Sequence, residues 1–355
     1  MRIGILLLCS TLSISSLAEE KIKIGVSTAL TGNAASYGTD LKNVFLFANE
    51  KLAHNAYDLI FDDDKCTGRD AVIVAHRFVD ALKLRYVAGF ACSGTALSTA
   101  PIYEKAKVLV MISSASAADI SHAGDYIFRT WASDAGASKK LFNYIAAHHQ
   151  KIGILSEQTD YAQGFLRSFT DNNSLSDLEI LNENYLTEMP DYRSVLLKLR
   201  TKGVTALFIN SQTDTTFLAV LKQLKDTGWT PQIYTAYWGG SSMILEKAKN
   251  LVEGSIFVDL PGTNEVLSSE GKSLFEEYKA KYGNMKSIDL LFGTTFEAFR
   301  ALHQAIQSGK EPREFLYHNT FHGVFGDWSF DSNGDIQGLD FVIKKVSHGV
   351  VTTIE

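Results

Sequence analysis

The sequence predicts an α/β protein built from two doubly wound parallel-sheet lobes. Three observations support this fold class. Short runs of β-branched residues alternate with segments of helical period, as parallel βαβ units require. The alternation restarts near residue 134, after Phe128-Arg129-Thr130-Trp131. The chain has 355 residues, 45% of them apolar, which is enough for two domains that each bury a core.

Seven short apolar runs predict the strands of the two sheets. Each run is short for a buried helix and is bounded by polar or turn-forming residues. In chain order, the runs cover residues 22–26, 59–62, 86–90, 108–112, 152–155, 206–209 and 233–235. Four of them precede the restart and three follow it, so each lobe receives its own sheet.

Apolar residues at helical spacing predict the helices that pack on these sheets. The last third of the chain is predicted to be mostly helical. Near its end, Asn333-Gly334 favours a hairpin turn between strands 328–330 and 341–346. The apolar helix faces are Ala71, Ala75, Phe78 and Leu82; Tyr192, Val195, Leu196 and Leu199; and Phe217, Val220, Leu221 and Leu224.

Residues 1–18 predict a signal peptide. Arg2 precedes an apolar run, and the stretch ends in Ser16-Leu17-Ala18, which places small side chains where a signal peptidase reads them. The run is shorter than the roughly 18 residues that span a bilayer, so we expect an exported protein without a membrane anchor. A lipoprotein signal with a lipidated Cys9 is the alternative.

The composition and the missing motifs exclude several classes of function. The chain has 34 Lys and Arg against 40 Asp and Glu, a net charge of -6, which does not fit a nucleic-acid binder. It contains no G-x-S-x-G, P-loop, G-x-G-x-x-G or H-E-x-x-H motif. We therefore expect a protein that is not an enzyme and has no cofactor. His318 and His322 have a possible metal spacing, but no third ligand is evident, so no metal site is predicted.

Two acidic clusters have structural interpretations. Asp62-Asp63-Asp64 follows a strand, and we expect these carboxylates to cap the helix that begins near Arg69 rather than to bind a cation. Asp331, Asn333 and Asp335 resemble part of a calcium loop, but the twelfth position is Val342 where that loop needs a glutamate. This second cluster is predicted to be a turn.

Hydroxyl-rich loops follow three of the predicted strands. They cover residues 31–38, 92–95 and 113–116. In an open α/β sheet the carboxyl ends of the strands form the ligand-binding crevice, and the helices that begin there expose unpaired N–H groups. The edge therefore suits an anion such as a ligand carboxylate. Alternatively, the hydroxyls only cap their own helices.

The cysteines fit an exported protein. Removal of the signal peptide leaves Cys66 and Cys92, an even pair in an oxidising compartment, which predicts a disulfide. Two buried free thiols are the alternative.

Several motifs share their order and spacing with a known family. The motifs are Ile22-Lys23-Ile24-Gly25, Ala35-Ser36-Tyr37-Gly38, Asp62-Asp63-Asp64-Lys65-Cys66, Cys92-Ser93 followed by Ile102-Tyr103-Glu104, Phe128-Arg129-Thr130, and Asp160-Tyr161-Ala162-Gln163-Gly164. Together they resemble the leucine/isoleucine/valine-binding proteins, periplasmic solute receptors of ABC importers with the type I periplasmic-binding fold. The resemblance extends from Ile22 to about Val346, and no motif is diagnostic by itself.

The resemblance implies the domain organisation and the partners. One lobe would comprise residues 21–134 and 262–330 and the other residues 135–261 and 331–355, joined by three hinge segments. The protein would be a periplasmic monomer that binds a small-molecule ligand between the lobes and presents it to the membrane permease of an ABC transporter. The disulfide between Cys66 and Cys92 also matches the family.

The resemblance also implies a set of ligand-binding residues. Ser93 and Ser116 would bind the α-carboxylate of an amino acid, and the carbonyl group of Ser114 would accept the ammonium. Tyr37 and Tyr161 would line the cleft.

The sequence departs from the family where the ammonium is bound. Relatives have an acidic residue after the strand that ends here at Ala236, whereas this chain has Tyr237 and Trp238, which we include in the site. Aromatic faces replace only part of a charge partner, through cation–π contacts of about 0.5 to 2 kcal/mol. Leu291 or Phe292 falls where the family has an aromatic wall. The ligand is then an amino acid held differently, a bulkier or aromatic acid, or a cationic compound.

Two other functions remain open from the sequence. The same fold serves as the ligand-sensing subunit of signalling systems, and nothing in the chain excludes that role. A secreted hydrolase is disfavoured because the nucleophile motifs are missing.

Overall fold

The structure is a computed structural model that describes residues 21–355. The predicted signal peptide and Cys9 lie outside the described residues. Across residues 21–355, no helix has both the length and the apolar character that a membrane crossing requires.

The first lobe contains a five-stranded parallel sheet in the order β2-β1-β3-β4-β5. A π-helical turn at Arg77–Ala81 extends the second helix, and a 3-10 helix at Ala118–His122 precedes the last strand. The strands are β1 (Ile22–Thr28), β2 (Tyr57–Asp63), β3 (Tyr86–Gly89), β4 (Leu109–Ile112) and β5 (Ile127–Arg129), and the helices are α1 (Ala35–Ala53), α2 (Gly68–His76) and α3 (Ser93–Ala106).

The second lobe repeats the same alternation of strands and helices. Its five parallel strands have the order β7-β6-β8-β9-β10. The strands are β6 (Lys151–Glu157), β7 (Glu179–Tyr185), β8 (Ala206–Asn210), β9 (Gln232–Ala236) and β10 (Ile256–Asp259). The helices are α4 (Asp134–His148), α5 (Asp160–Asp171), α6 (Arg193–Thr201), α7 (Asp214–Asp226) and α8 (Ser242–Ala248), with 3-10 turns at Asn172–Leu175, Trp238–Gly240 and Lys249–Leu251.

The last third of the chain adds to both lobes. Phe292 and Phe296 of the helix α11 (Leu290–Gln307) pack against Phe47 of α1 in the first lobe. Strand β14 pairs antiparallel with β10, and β15 pairs antiparallel with β14, which completes a seven-stranded sheet. Strands β11, β12 and β13 form a small antiparallel sheet. These elements are α9 (Thr263–Val266), α10 (Ser269–Tyr282), α11 (Leu290–Gln307), α12 (Pro312–His318), β11 (Thr320–Gly323), β12 (Gly326–Phe330), β13 (Ile336–Gln337), β14 (Val342–Ser347) and β15 (Val350–Thr353).

The predicted fold class is confirmed, and each of the seven predicted strands lies within or overlaps an observed one. The hairpin prediction is wrong in its partner. The turn at Asn333-Gly334 joins β12 to the two-residue β13, whereas residues 342–347 pair with β10 in the other sheet. The Asn-Gly dipeptide fixes only the local turn, and the apolar run beyond it finds its partner through tertiary packing.

The chain crosses from one lobe to the other three times, after β5, after β10 and after β13. The lobe limits given above stay predictions. The pairing of β13 with β12 bears on the limit at residue 331, where the last crossing was expected. This pairing keeps residues 336 and 337, which follow that limit, in the small sheet.

The acidic residues at the end of β2 have a different role from the expected one. Thr67 caps α2 by accepting the N–H of Asp70. Asp63 instead accepts the N–H of Leu30, and the buried Asp64 accepts the hydroxyl of Ser27 at 2.9 Å. The carboxylates therefore hold the end of β2 against strand β1 and against the loop that follows β1.

The turn predicted around Asp331 ends in a buried ion pair. Asp331 accepts the N–H groups of Asn333 and Asp335, as an acidic residue in a turn does. The carboxylate of Asp335 then contacts the guanidinium of Arg129, with an N–O distance of 2.6 Å. Arg129 is fully buried and also donates to the carbonyl of Ala117, so the pair fixes the loop after β4.

We predict that Asp335→Asn lowers the free energy of unfolding by about 3 to 5 kcal/mol, because it leaves the buried Arg129 charge without its partner. Glu277→Gln, which breaks the exposed pair with Lys51, is the control and changes stability by about 1 kcal/mol or less. Equal effects of the two substitutions in urea denaturation would contradict this interpretation.

Candidate functional site

The site lies where the sheet topology places it. In each lobe the second strand lies on one side of the first strand and the third strand lies on its other side. The loops at the carboxyl ends of these neighbouring strands diverge at this switch point and leave a crevice. The two crevices face each other across the gap between the lobes. The first lobe contributes residues after β1, β3 and β4, and the second lobe contributes residues after β6, β8 and β9.

One cavity between the lobes is lined by every ligand-binding residue that the sequence predicted. Protein atoms leave about 490 Å³ unfilled there, with the open solvent at the mouth of the cavity included. The predicted residues that line it are Tyr37, Ser93, Ser114, Ser116, Tyr161, Tyr237 and Trp238.

Four larger side chains that line this cavity were not predicted from the sequence: Trp131, Gln212, Thr213 and Ile288. The aromatic wall expected at Leu291 or Phe292 is wrong. Both side chains pack into the hydrophobic core, and the cavity is lined by Ile288 instead, two residues before α11 begins. Gln212 and Thr213 follow β8, so their place at a strand end was the available signal.

Ser93 presents a hydrogen-bond donor to the cavity. It is the first residue of α3, where the helix leaves N–H groups without partners in the helix. Its hydroxyl oxygen already accepts the N–H groups of Ser116 and Ala117, at 3.3 and 3.1 Å. The hydroxyl hydrogen is therefore the part of Ser93 that a ligand can use, which suits an acceptor such as a carboxylate.

The predicted disulfide holds this end of α3. Cys66 and Cys92 are bonded, with their Cα atoms 5.5 Å apart, and Cys92 immediately precedes Ser93. In the chain-entropy model, closing this loop stabilises the fold by about 3.5 kcal/mol. The disulfide thus fixes the loop after β2 against the start of α3.

Aromatic rings form much of the cavity wall. Trp238 contacts Tyr37 and Tyr161 edge to face, with ring centroids 5.9 and 6.3 Å apart, and Trp131 contacts Tyr237 in the same way. The hydroxyl groups of Tyr37 and Tyr161 are buried and have no hydrogen-bond partner in the protein. Since buried polar atoms are nearly always paired, these two hydroxyls indicate a partner in the cavity.

Tyr237 has an unusual backbone conformation. Its φ is 57° and its ψ is -45°, a region that residues other than glycine rarely adopt. Its N–H still donates to the carbonyl of Val258, so the distortion is held by β10. Such strain is maintained at functional sites, where it aims a side chain.

Asp134 contacts two residues of the cavity lining and was not predicted from the sequence. It is fully buried directly behind the cavity wall, at the first crossing between the lobes. Its carboxylate accepts the hydroxyl of Ser116 at 2.9 Å and that of Tyr237 at 2.6 Å. Burial raises the pKa of Asp134 to about 6, although these hydrogen bonds and the charge of Arg129 oppose the shift. Its position at the restart of the βα alternation was the only signal.

No charged side chain lines the cavity within residues 21–355. A ligand would be recognised by N–H groups, hydroxyls, the amide of Gln212 and aromatic faces. Behind the wall, the carboxylate of Asp134 contacts two of the lining residues, through the hydroxyls of Ser116 and Tyr237.

The lobes contact each other around the cavity. The carboxylate of Asp119 in the first lobe pairs with Arg167 of α5 at 2.6 Å. The amide of Gln212 contacts the sulfur of Cys66 at 2.8 Å. A second, more polar cavity lies beside these contacts and is lined from both lobes, by Lys65 and Asp160 among others. The structure is therefore a form in which the lobes are closed on each other.

Two α/β lobes with a cavity between their switch-point loops are the architecture of a solute-binding protein. The family model for periplasmic binding proteins matches residues 21–336, and the chain belongs to this family. The match confirms the family that the sequence motifs indicated.

Curated relatives and solved structures agree with this assignment. The Leu/Ile/Val-binding protein of Citrobacter freundii is 24% identical, over 94% of this chain and 93% of its own. The leucine-, isoleucine-, valine-, threonine-, and alanine-binding protein of Pseudomonas aeruginosa is 26% identical, over 92% and 90%. A leucine binding protein from Thermotoga maritima superposes with a TM-score of 0.84 at 20% identity, covering 94% of this chain and 98% of that one. It shows that the fold is shared.

We predict a pH-dependent stability difference between the wild type and Asp134→Asn. The raised pKa means that the native state binds a proton more tightly than the unfolded chain between about pH 4 and pH 6. Wild-type stability therefore falls as the pH rises through this window, by about 2 to 3 kcal/mol from this group. Asparagine cannot ionise and lacks this contribution.

Urea denaturation of both proteins across this pH range measures the difference, and subtraction removes contributions from other groups, including Asp64, whose pKa burial also raises to about 6. A stability difference that stays constant from about pH 4 to about pH 7 would show that Asp134 does not titrate in this way.

Proposed function

We propose that the protein is the exported solute-binding receptor of an ABC importer, that it acts as a periplasmic monomer, and that it binds an amino acid or a related carboxylate. The observation that carries this proposal is the cavity between the lobes, in which donor groups and unpartnered hydroxyls from both lobes surround one small volume. Its membership of the periplasmic binding protein family supports it.

Binding and lobe closure are coupled in this proposal because the ligand contacts both lobes. Ser93 and Ser116 would hold it from the first lobe, and Tyr161 and Tyr237 from the second. A ligand that contacts both lobes stabilises the closed form over the open one by its differential affinity. The closed form is then the surface that a membrane permease recognises.

The cavity favours a ligand with one carboxylate and an apolar or aromatic body. The carboxylate would accept hydrogen bonds from the hydroxyl of Ser93 and from the first N–H groups of α3. The rings of Tyr37, Trp131 and Trp238 would surround the body. Solved structures of similar fold hold such compounds: one from Streptococcus pneumoniae is in complex with isoleucine, and one from Rhodopseudomonas palustris with benzoate.

A thermal-shift screen against single amino acids and aromatic acids tests the proposal. A ligand present at 100 times its dissociation constant stabilises the native state by about 2.7 kcal/mol. We expect a shift with a subset of the carboxylates and recovery of the compound unchanged. Chemical conversion of a compound that shifts the melting temperature would contradict a receptor function.

We predict that Ser93→Ala weakens binding of the best compound from this screen by about 1 to 3 kcal/mol, because a buried carboxylate loses its hydroxyl donor. Ser98→Ala is the matched control on the same helix. The Ser98 hydroxyl donates to the carbonyl of Thr95 at 3.2 Å and does not line the cavity. Titration calorimetry that gives equal affinities for Ser93→Ala and the control would remove Ser93 from the site.

A further inference from the structure

Asp134 controls the hydrogen-bond polarity of one corner of the cavity. Each oxygen of its carboxylate accepts one hydroxyl, Oδ1 from Tyr237 at 2.6 Å and Oδ2 from Ser116 at 2.9 Å. The main-chain N–H of Asp134 donates to the carbonyl of Ser116 at 2.8 Å, which fixes the carboxylate against the first lobe. We call Ser116, Tyr237 and the carboxylate behind them the acceptor corner.

The name follows from the chemistry of the hydroxyl groups. An ionised carboxylate only accepts hydrogen bonds, so the hydrogens of both hydroxyls point to Asp134. Each hydroxyl oxygen then has only lone pairs to offer to the cavity. A ligand atom that contacts this corner must donate a hydrogen bond, and a carboxylate there would meet lone pairs and a nearby negative charge.

The opposite polarity occurs at Ser93. Its oxygen is used by two main-chain N–H groups, so it offers a hydrogen to the cavity. The cavity thus has a donor at Ser93 and acceptors at Ser116 and Tyr237. Because the hydroxyl of Ser116 donates to Asp134, it would offer the ligand an acceptor rather than a donor for its carboxylate.

The acceptor corner also places a negative charge behind the position where the sequence lacks an acidic residue. The sequence lacks an acidic residue after β9, where Tyr237 stands, but the structure supplies a carboxylate from the first crossing between the lobes, one hydrogen bond behind Tyr237. Arg129, the cation whose charge acts on Asp134, is itself paired with Asp335. The negative charge therefore stays available to a cationic group in the cavity.

We propose that Asp134 is a specificity-determining residue that acts through Ser116 and Tyr237 and selects ligands bearing a protonated amine beside their carboxylate. This inference rests on the proposed function and narrows its ligand class to amino acids. The same acid without the amine brings no donor to the lone pairs of the two hydroxyl oxygens, and sites built to bind a polar substrate group strongly reject analogues that lack it. Plain aromatic acids are then excluded.

Matched pairs of compounds test the proposal by titration calorimetry. L-leucine is compared with 4-methylpentanoate, and L-phenylalanine with 3-phenylpropanoate, so each pair differs only in the amino group. For the pair whose side chain fits, we expect the wild type to prefer the amino acid by about 100-fold or more. In Asp134→Asn we expect this preference to fall by about tenfold or more, because the charge is lost and the amide donates to one of the hydroxyls.

A second variant, Tyr237→Phe, tests the same corner if Asp134→Asn does not fold. Tyr237→Phe removes one acceptor and leaves Asp134 bound to Ser116, and we expect it also to reduce the preference. Tyr37→Phe is the matched control, since its hydroxyl lines the cavity but is not bonded to Asp134. It should change the affinities for both members of a pair by similar factors.

The wild type alone gives a third measurement. Protonation of Asp134 frees one hydroxyl hydrogen, so the preference for the amino acid should fall between about pH 8 and about pH 5, as Asp134 titrates with its pKa near 6. The other titratable groups that face Asp134 are Arg129, Tyr161 and Tyr237. Guanidinium groups stay protonated in this range, and burial raises the pKa values of both tyrosines further from it.

The outcomes separate this proposal from the proposed function. If the wild type binds the acid without an amine as tightly as the amino acid, or if Asp134→Asn weakens both equally, the role of Asp134 is contradicted while the receptor function stands. If neither these pairs nor any compound of the wider screen binds, the receptor function fails as well.

Discussion

A cavity without a charged wall can hold a polar solute only if its own donors and acceptors match those of the solute one by one. This constraint governs the site described here. The cavity is buried between two lobes, its lining within residues 21–355 is uncharged, and two of its tyrosine hydroxyls have no partner in the protein. Water or a solute must supply what they lack, since an unpaired buried polar group destabilises the protein by about 1 to 3 kcal/mol.

The rest of the fold serves to place these groups. The disulfide and the loop after β2 hold the start of α3, and the pair between Arg129 and Asp335 holds the loop that carries Ser116. On the other side, β10 maintains the strained backbone of Tyr237. Asp134 connects the two sides, and its burial destabilises the fold above its raised pKa. We interpret that destabilisation as the consequence of keeping a carboxylate behind the cavity wall.

The sequence predicted the fold class, the family, the disulfide pair and the residues that meet at one cavity, because these follow from strand ends and from motif order. It could not predict β5 and β7, which are a strand of three residues and a polar edge strand. The role of Asp134 was not predictable for a different reason. Its role depends on hydroxyls that are 18 and 103 positions away, and no local pattern marks such a contact. Ile288 and the partner of β14 were likewise decided by tertiary packing.

The proposed function depends on closure of the two lobes around a solute. Small-angle X-ray scattering of the full mature chain, with and without a saturating compound from the screen, measures this closure. We expect the radius of gyration to decrease when the compound is added and the liganded curve to match the closed structure. A liganded curve that keeps the larger dimensions of the free protein, at a concentration where calorimetry shows full occupancy, would contradict it.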